Sequence, residues 1–432
     1  MYMSQLESEA PLAGLRVIEV SSFVAAPLGG MTLAQLGAQV IRIDPLGGAA
    51  DTTRWPLAPN GKSLYWAGLN KGKRSVTLDF RSDSGRTTLK ELVENSGDDG
   101  GIVLTNASFP WLSYEALSQR RPDLIHLQIT GRHDGGPAVD YTVNAATGFP
   151  LATGPENLDG PVNHVLPAWD VATGLYAAAG ILAAERHRRR TGEGRSITLP
   201  LADVALAVTG HLGFLAEAQA GGTGRPRIGN HLYGGFARDF ITDDGDSVII
   251  CLLTARHFRD LAAATGLTQT FAELAKALEA DFTTDAGRYE HREVIAALLS
   301  PWFARHTVKE ISDAFEGTSV LWERYRTFAE LAADPALAEN PLVRLVDQPG
   351  IGRVLATGIP LAQPGTKDVA PAPELGADTE AVLAELRVPT RGDDPPEPPD
   401  ARPIASDRTG RAGPPARGDD PPEPPDPRVL GE

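Results

Sequence analysis

Five short apolar runs separated by helical segments pace the first third of the chain: LRVIEV (15–20), AQVIRID (38–44), RSVTLDF (74–80), GIVLTN (101–106) and LIHLQITG (124–131). Between them lie stretches with helical spacing, such as MTLAQLG (31–37) and RTTLKELVENSG (86–97). Strands that alternate with helices are joined by crossovers, and crossovers make a mainly parallel sheet with helices on its faces. The expectation is therefore an α/β fold with a Rossmann-like large domain. Ligands on such sheets bind beyond the carboxyl ends of the strands, where the strand order reverses. The first strand runs into SSFVAAPLGG (21–30) rather than G-x-G-x-x-G, so the turn that cradles a dinucleotide pyrophosphate is missing.

From about residue 225 the pattern changes. TDDGDSVIICLL (242–253) reads as a hairpin turn into a strand, followed by amphipathic helices in TARHFRDLAAATG, AGRYEHREVIAALLSPWFARH and TVKEISDAFEG. We expect an N-terminal arm over 1–12, a large domain over 13–224, a smaller α+β domain over 225–325 and a return to the large domain over 326–388. In that return PLVRLVDQPGIGRVLATGIPL (341–361) has hairpin texture, and APELGADTEAVLAEL (372–386) reads as a capped helix. The end differs in kind. RGDDPPEPPD occurs at 391–400 and again at 417–426, and proline at this density removes backbone donors while little apolar surface is available to bury. The expectation for 389–432 is a disordered tail, with a proline-rich docking segment as the alternative.

The chain of 432 residues carries a formal charge of −16. That sign argues against sequence-independent nucleic-acid binding, which needs a basic surface. The lone Cys251 sits in an apolar run and supports neither a disulfide framework nor a cysteine metal site. MYMSQLESEAPLAG has no basic n-region or apolar h-region, and no window approaches a membrane span. A cytoplasmic location without membrane contact is the expectation.

LPAWDVATGLYAAAGILAAERHRRRTGEG (166–194) is the longest helical signal, with Val171, Leu175, Ala178, Ala179, Leu182 and Ala183 as its apolar stripe. Asp170 stands at its mouth. Asp is a preferred N-cap, and on spacing alone the cap is the simpler reading. A carboxylate kept ionised by the helix dipole and shielded by Trp169 is also a competent nucleophile. The local pattern leaves both open.

Taken together, LAGLRVIEVSSFVAAPLGGMTLAQLGAQVIRID, LNKGKRSVTLDFR, VLTN, ITGRHDGGPAVDYTVNAATG, WDVATGLYAAAGILAAERHRRRTGEG and PAPELGADTEAVLAEL resemble the class III CoA-transferases in order and over nearly the whole chain before the tail. RWPL, YWAGLNKGKRS, VNHVLPAWD, GHLGFLAEA and NHLYGGFARDF are most similar to the branch of that family that moves CoA between the C1 and C4 carboxyls of mesaconate. The resemblance implies an interlocked homodimer and an acyl-CoA substrate, with no permanently bound cofactor and no metal. It implies covalent catalysis by Asp170, CoA contacts at Phe23, Val24, Ala25, Leu78, Arg81 and Asn106, and phosphate cations among Arg42, Lys71, Lys73, Arg74 and Arg81. For the free carboxylate of a dicarboxylyl thioester the candidates are Arg132, His133, Tyr141 and His164. The segment GNHLYGGF (229–236) reads as a glycine-hinged lid. Two departures stand out: Val24 replaces the glutamine of formyl-CoA transferases, and Val139-Asp140 replaces the His-Asp pair of the racemases, which removes the second base of a racemisation. Intermolecular CoA transfer and non-catalytic acyl-CoA binding are the competing readings.

Overall fold

The computed structural model describes residues 10–361 and 368–386. The expected tail and most of the N-terminal arm lie outside the described residues. The five apolar runs form strands β1 (Arg16–Val20), β2 (Gln39–Pro45), β3 (Arg74–Leu78), β4 (Ile102–Thr105) and β5 (Ile125–Thr130). A sixth strand, β6 (Arg195–Pro200), joins them in a wholly parallel sheet of order β3-β2-β1-β4-β5-β6. This order reverses between β1 and β4, so a crevice opens there at the carboxyl ends of the two strands. Strand β6 is an edge strand with no fully buried residue, which explains why its sequence, RSITLP, carries no apolar run.

Helices α1 (Ala25–Gln35), α2 (Asp83–Glu94), α3 (Ala168–Thr191), α4 (Leu201–His211), α5 (Phe214–Gly221) and α6 (Thr379–Glu385) complete the layers around the site. On one face α1 and α3 pack over Val17, Leu104, Ile125 and Leu127. On the other, Leu89, Leu92 and Val93 of α2 and Val382 of α6 cover Ile18, Ile41, Ile43 and Val103. Alternate residues of one strand thus feed two cores, as the period-two geometry of strands requires.

The returning chain covers the β3 edge. Ser75 N donates to Asp378 Oδ2 (2.8 Å), Asp378 N to Ser75 O (2.9 Å) and Thr77 N to Thr379 Oγ1 (3.0 Å). These bonds satisfy an edge that would otherwise invite intermolecular pairing.

Residues 236–324 build a separate core on an antiparallel sheet of β7 (Phe236–Ile241), β8 (Ser247–Leu252) and β9 (Leu321–Arg324). Phe236, Phe240, Phe258, Phe271, Phe282 and Phe303 dominate it. The expected C-terminal hairpin is β10 (Val343–Gln348) paired with β11 (Gly352–Thr357). Cys251 lies on β8, half-buried and unpaired.

The apolar face of α3 differs from the expected stripe. Its buried residues are Trp169, Thr173, Gly174, Ala177, Ala178, Ile181, Ala184, Glu185 and Arg188, while Leu175 is 52% exposed. Small residues face inward because α1 and α3 touch backbone to backbone. A Cβ on Gly174 would lie 2.7 Å from Ala25 O, and one on Gly29 would lie 2.9 Å from Gly174 O. Neither contact admits a side chain. At the far end of α3, Arg188 does more than complement the dipole: it is buried and donates to Glu185 (2.8 Å) and Gly100 O (2.6 Å). Gly174→Val must separate α1 from α3, and should lower stability by about 2 kcal/mol through overpacking, measured as a reduced midpoint in urea unfolding.

Candidate active site

A cleft of about 600 Å³ opens at the β1/β4 crevice and is lined by Ser22, Phe23, Val24, Ala25, Arg54, Tyr65, Asn106, Asp140, Tyr141 and Asp170, among others. Asn106 builds its floor. Following β4, it accepts from Ser22 N (3.1 Å) and donates to Ser22 O (2.8 Å), tying the ends of the two switch-point strands together. Phe23, next in the chain, has φ of +66°, a left-handed conformation that costs a non-glycine residue free energy and recurs at functional sites. Its ring and that of Tyr65 lie 5.3 Å and 5.2 Å from the Arg54 guanidinium carbon. Val24, at the N-cap position of α1, offers no side-chain hydrogen bond there.

Asp170 is not the N-cap of α3. That position is held by Pro167, and the cap is supplied from elsewhere in the sequence. Asp140, the first residue of the short helix Asp140–Ala145, accepts at Oδ2 from Trp169 N (2.8 Å) and Asp170 N (3.2 Å). Two of the N–H groups that a helix start leaves unpaired are thereby satisfied. Trp169 Nε1 donates to Asn144 Oδ1 of the same short helix (3.1 Å). The capping role, open for Asp170 in sequence, therefore falls to Asp140.

The Asp170 carboxylate is half-buried, faces the cleft, and accepts no hydrogen bond among the described residues. Burial pushes its carboxyl up to about 7, neighbouring Asp140 adds to the rise, and Arg54 opposes it. The expected hold of the helix dipole on the ionised form is thus outweighed by desolvation and a like charge. Burial also pushes the Tyr65 hydroxyl up to about 12, so it stays a proton donor. A carboxylate in this state, with its lone pairs unused, can attack an electrophilic carbonyl.

A second cleft of about 660 Å³ shares Ser22 and Asn106 with the first and runs past Ile43, Asp79, Phe80, Arg81, Arg86 and Phe109. Phe80, Phe109 and Trp111 cluster beside it, with Phe109 and Trp111 stacked at 5.2 Å. Arg81 lines this second cleft. Leu78 is buried at the end of β3, and the cleft wall begins one residue later.

Other expected cations are elsewhere. Arg42 is fully buried; it bonds Asp44 in a fork (3.0 and 3.0 Å), Asp51 (3.1 and 3.0 Å), Asn70 (3.1 Å) and Ser21 O (3.1 Å), above the Trp66 ring. Buried and paired with two aspartates, it is not positioned to meet a phosphate. Lys73 is likewise buried, giving its protons to Glu19 Oε1 (2.8 Å), Pro27 O (2.8 Å) and Asn70 Oδ1 (2.9 Å); burial pulls it down to about 8 against the attraction of Glu19. Arg74 pairs with Glu385 (2.7 Å) and Asp378 (3.8 Å) of the returning segment. Lys71 lines a separate cleft beneath the β10–β11 hairpin, donating to Gly68 O (2.6 Å). Arg42, Lys73 and Arg74, expected at the CoA phosphates, are instead held in ion pairs within the fold.

Of the four residues expected at a substrate carboxylate, only Tyr141 lines the Asp170 cleft. His164 sits behind it, with Nε2 3.6 Å from Asp140 Oδ1 and its ring 6.4 Å from that of Trp169. Arg132 and His133 are exposed outside the lining, His133 near Asp203 (3.7 Å). None of residues 229–236 lines the cleft; His231 is buried against Glu293 (2.8 Å) and Arg238 (2.8 Å). The expected lid does not cover the site. Arg54, Tyr65 and the capping role of Asp140 were missed by sequence reasoning. A helix-starting acid upstream of Trp169-Asp170 was visible, but its partner thirty residues on was not.

The family model for CoA-transferase family III matches residues 12–379. The chain is 50% identical to 2-methylfumaryl-CoA isomerase of Chloroflexus aurantiacus over 384 residues, covering 87% of this chain and 93% of that protein. It is 27% identical to human succinyl-CoA:glutarate CoA-transferase, covering 89% and 87% of the two chains. Among solved structures, a CAIB/BAIF family protein from Brucella suis superposes with a TM-score of 0.73 at 27% identity, covering 88% of this chain and all of that one.

Asp170 supports the folded state while protonated, below its ordinary 3.8, and that support is withdrawn as pH rises toward about 7. Asp170→Asn should therefore leave the melting temperature unchanged near about pH 4 and raise it near about pH 8. Calorimetry at the two pH values checks this; equal melts at both would refute it.

Proposed function

The chain belongs to CoA-transferase family III, and from that premise we propose that it moves CoA between the two carboxyls of one methylfumarate, converting 2-methylfumaryl-CoA into 3-methylfumaryl-CoA. The observation that carries the reading is the Asp170 carboxylate, free of hydrogen bonds among the described residues, in a cleft at the β1/β4 crevice, in a chain half identical to a named isomerase.

The chemistry is four transfers at one carboxylate. An Asp170 oxygen attacks the C1 thioester carbonyl, the C–S bond breaks, and an aspartyl–acyl anhydride and CoA thiolate result. The thiolate attacks the aspartyl carbonyl, the anhydride C–O bond breaks, and Asp170 carries CoA while the diacid is released as a dicarboxylate. The other carboxylate of that diacid attacks the aspartyl thioester and expels the thiolate, forming a second anhydride. Thiolate attack at the substrate carbonyl then makes the C4 thioester and restores Asp170. Atoms and electrons balance with CoA as the carrier throughout, so CoA is substrate rather than a resident cofactor. Water must stay out, because it would hydrolyse either anhydride. Trp169 and Asp140 are buried beside Asp170, which limits the approach of water from that side.

The second cleft fits the nucleotide end of CoA. Arg81 and Arg86 supply positive charge there, against the acidic balance of the whole chain, and Phe80 and Phe109 supply aromatic surface for the adenine.

The active particle in this reading is the interlocked homodimer, in the cytoplasm. Leu206 of α4 and Leu212 just past its end are more than half exposed, Leu215 of α5 is 48% exposed, and α5 buries none of its residues. A contiguous apolar face of this kind calls for a partner surface. No single helix among the described residues is long and apolar enough to cross a membrane; α4 and α5 together reach that composition but bend by 63°. Light scattering should give twice the chain mass.

Purified protein with 2-methylfumaryl-CoA alone should yield the 3-methyl isomer. Conversion only when a free acid is added would instead assign intermolecular transfer, the activity named for the human relative. Because the carboxylate form attacks, kcat/KM should climb about tenfold per pH unit below about 7 and level off above it. Asp170→Ala should abolish turnover, and hydroxylamine should trap an Asp170 adduct in the native enzyme only.

A further inference from the structure

Arg54 is the single cationic side chain among the described residues that line the Asp170 cleft. It is exposed and makes no ion pair among the described residues, in contrast with Arg42, Lys73 and Arg74 nearby. Its guanidinium lies over Phe23 and Tyr65 and hydrogen-bonds the Tyr65 hydroxyl, one contact for a fork of five N–H donors, so others remain for a carboxylate. It is close enough to Asp170 to favour that carboxylate electrostatically. Its backbone is fixed as well: Arg54 N donates to Asp51 O (3.3 Å), Arg54 O accepts from Ser63 Oγ (2.6 Å), and Asp51 is itself clamped by Arg42.

Resting on the isomerase reading above, we propose that Arg54 holds the free carboxylate of a dicarboxylyl thioester and so selects diacids over monoacids. The role expected from sequence for Arg132, His133 or His164 passes to a residue that faces the reacting carboxylate. One cation suffices for both directions. While C1 is engaged at Asp170 the C4 carboxylate rests on Arg54. Once CoA has passed to Asp170 the diacid exchanges ends, and the released C1 carboxylate takes the same fork. Recapture of either end by Arg54 keeps the diacid in the cleft through the exchange, which an intramolecular transfer requires and an exchange with external acid does not.

The test measures binding, so that it does not depend on turnover. In the Asp170→Asn protein, affinities are compared for 2-methylfumaryl-CoA and methacrylyl-CoA, the thioester in which a hydrogen replaces the free carboxylate. The diacid thioester should bind about 30-fold more tightly, the worth of one charge-assisted pair. Adding Arg54→Met should bring the two within about three-fold by weakening the diacid thioester alone, with Arg54→Lys intermediate because it keeps charge without the fork. Unchanged methacrylyl-CoA binding also reports a folded double variant. A diacid preference that survives Arg54→Met, an equal loss for both thioesters, or no preference before the second substitution would each overturn the proposal. A retained Arg54-dependent preference in a native enzyme that fails to isomerise its substrate would sustain Arg54 as anchor and overturn the isomerase reading instead.

Discussion

The backbone contact between α1 and α3 sets the geometry on which the site depends. Gly174 of α3 meets Ala25 O, and Gly29 of α1 meets Gly174 O, at distances that exclude any Cβ. Asp170 is four residues before Gly174, one helical turn away on the same side. The contact therefore delivers its carboxylate to the loop that follows β1, beside Phe23, Val24 and Ala25. A larger residue at either glycine would push the two helices apart, and the carboxylate with them. The Ala-rich and Gly-rich composition of α3 is thus a positioning device as much as a packing one.

A second layer fixes what α3 is delivered to. Under the crevice, Arg42 joins Asp44, Asp51, Asn70 and Ser21 O, while Lys73 joins Glu19, Asn70 and Pro27 O. Charges so buried are costly unless every donor and acceptor is met, and removing one partner strands the rest. What the network secures is location. It anchors Ser21 after β1, Pro27 in α1 and Asp51 just before Arg54, three segments that end at the cleft wall. Charge is spent on rigidity at the floor, while at the Asp170 cleft Arg54 makes no ion pair among the described residues.

Division of labour at the mouth of α3 follows the same logic. A helix start needs an acceptor, and a nucleophile needs free lone pairs, so one carboxylate serves both poorly. Asp140 takes the cap, which frees Asp170. The same Asp140, together with burial, raises the Asp170 carboxyl to about 7, where the carboxylate is more basic than an ordinary one and still substantially ionised near neutrality. Desolvation of this kind destabilises the folded chain locally and is compensated by the packing of Trp169 and the short Asp140 helix.

Local sequence determined the five central strands, the layer order they imply, the C-terminal hairpin and the second core, because these follow from periodicity within a few residues of each position. Through the resemblance carried by its contiguous motifs it also pointed to Asp170, Asn106 and Arg81. It could not determine which face of α3 is buried, since the stripe of larger residues through Leu175 competes with the small-residue face and only the arrival of α1 decides between them. Nor could it separate Arg42 and Lys73, which are consumed in ion pairs, from Arg54, which is not: all three are basic residues near strands, and their partners come from positions up to fifty-four residues apart. The cap on α3 comes from Asp140, thirty residues upstream. Side-chain identity and local period are properties of the sequence; whether a charge is satisfied is a property of the neighbours that folding brings, and that alone decided which carboxylate and which cation are left without an ion pair at the cleft.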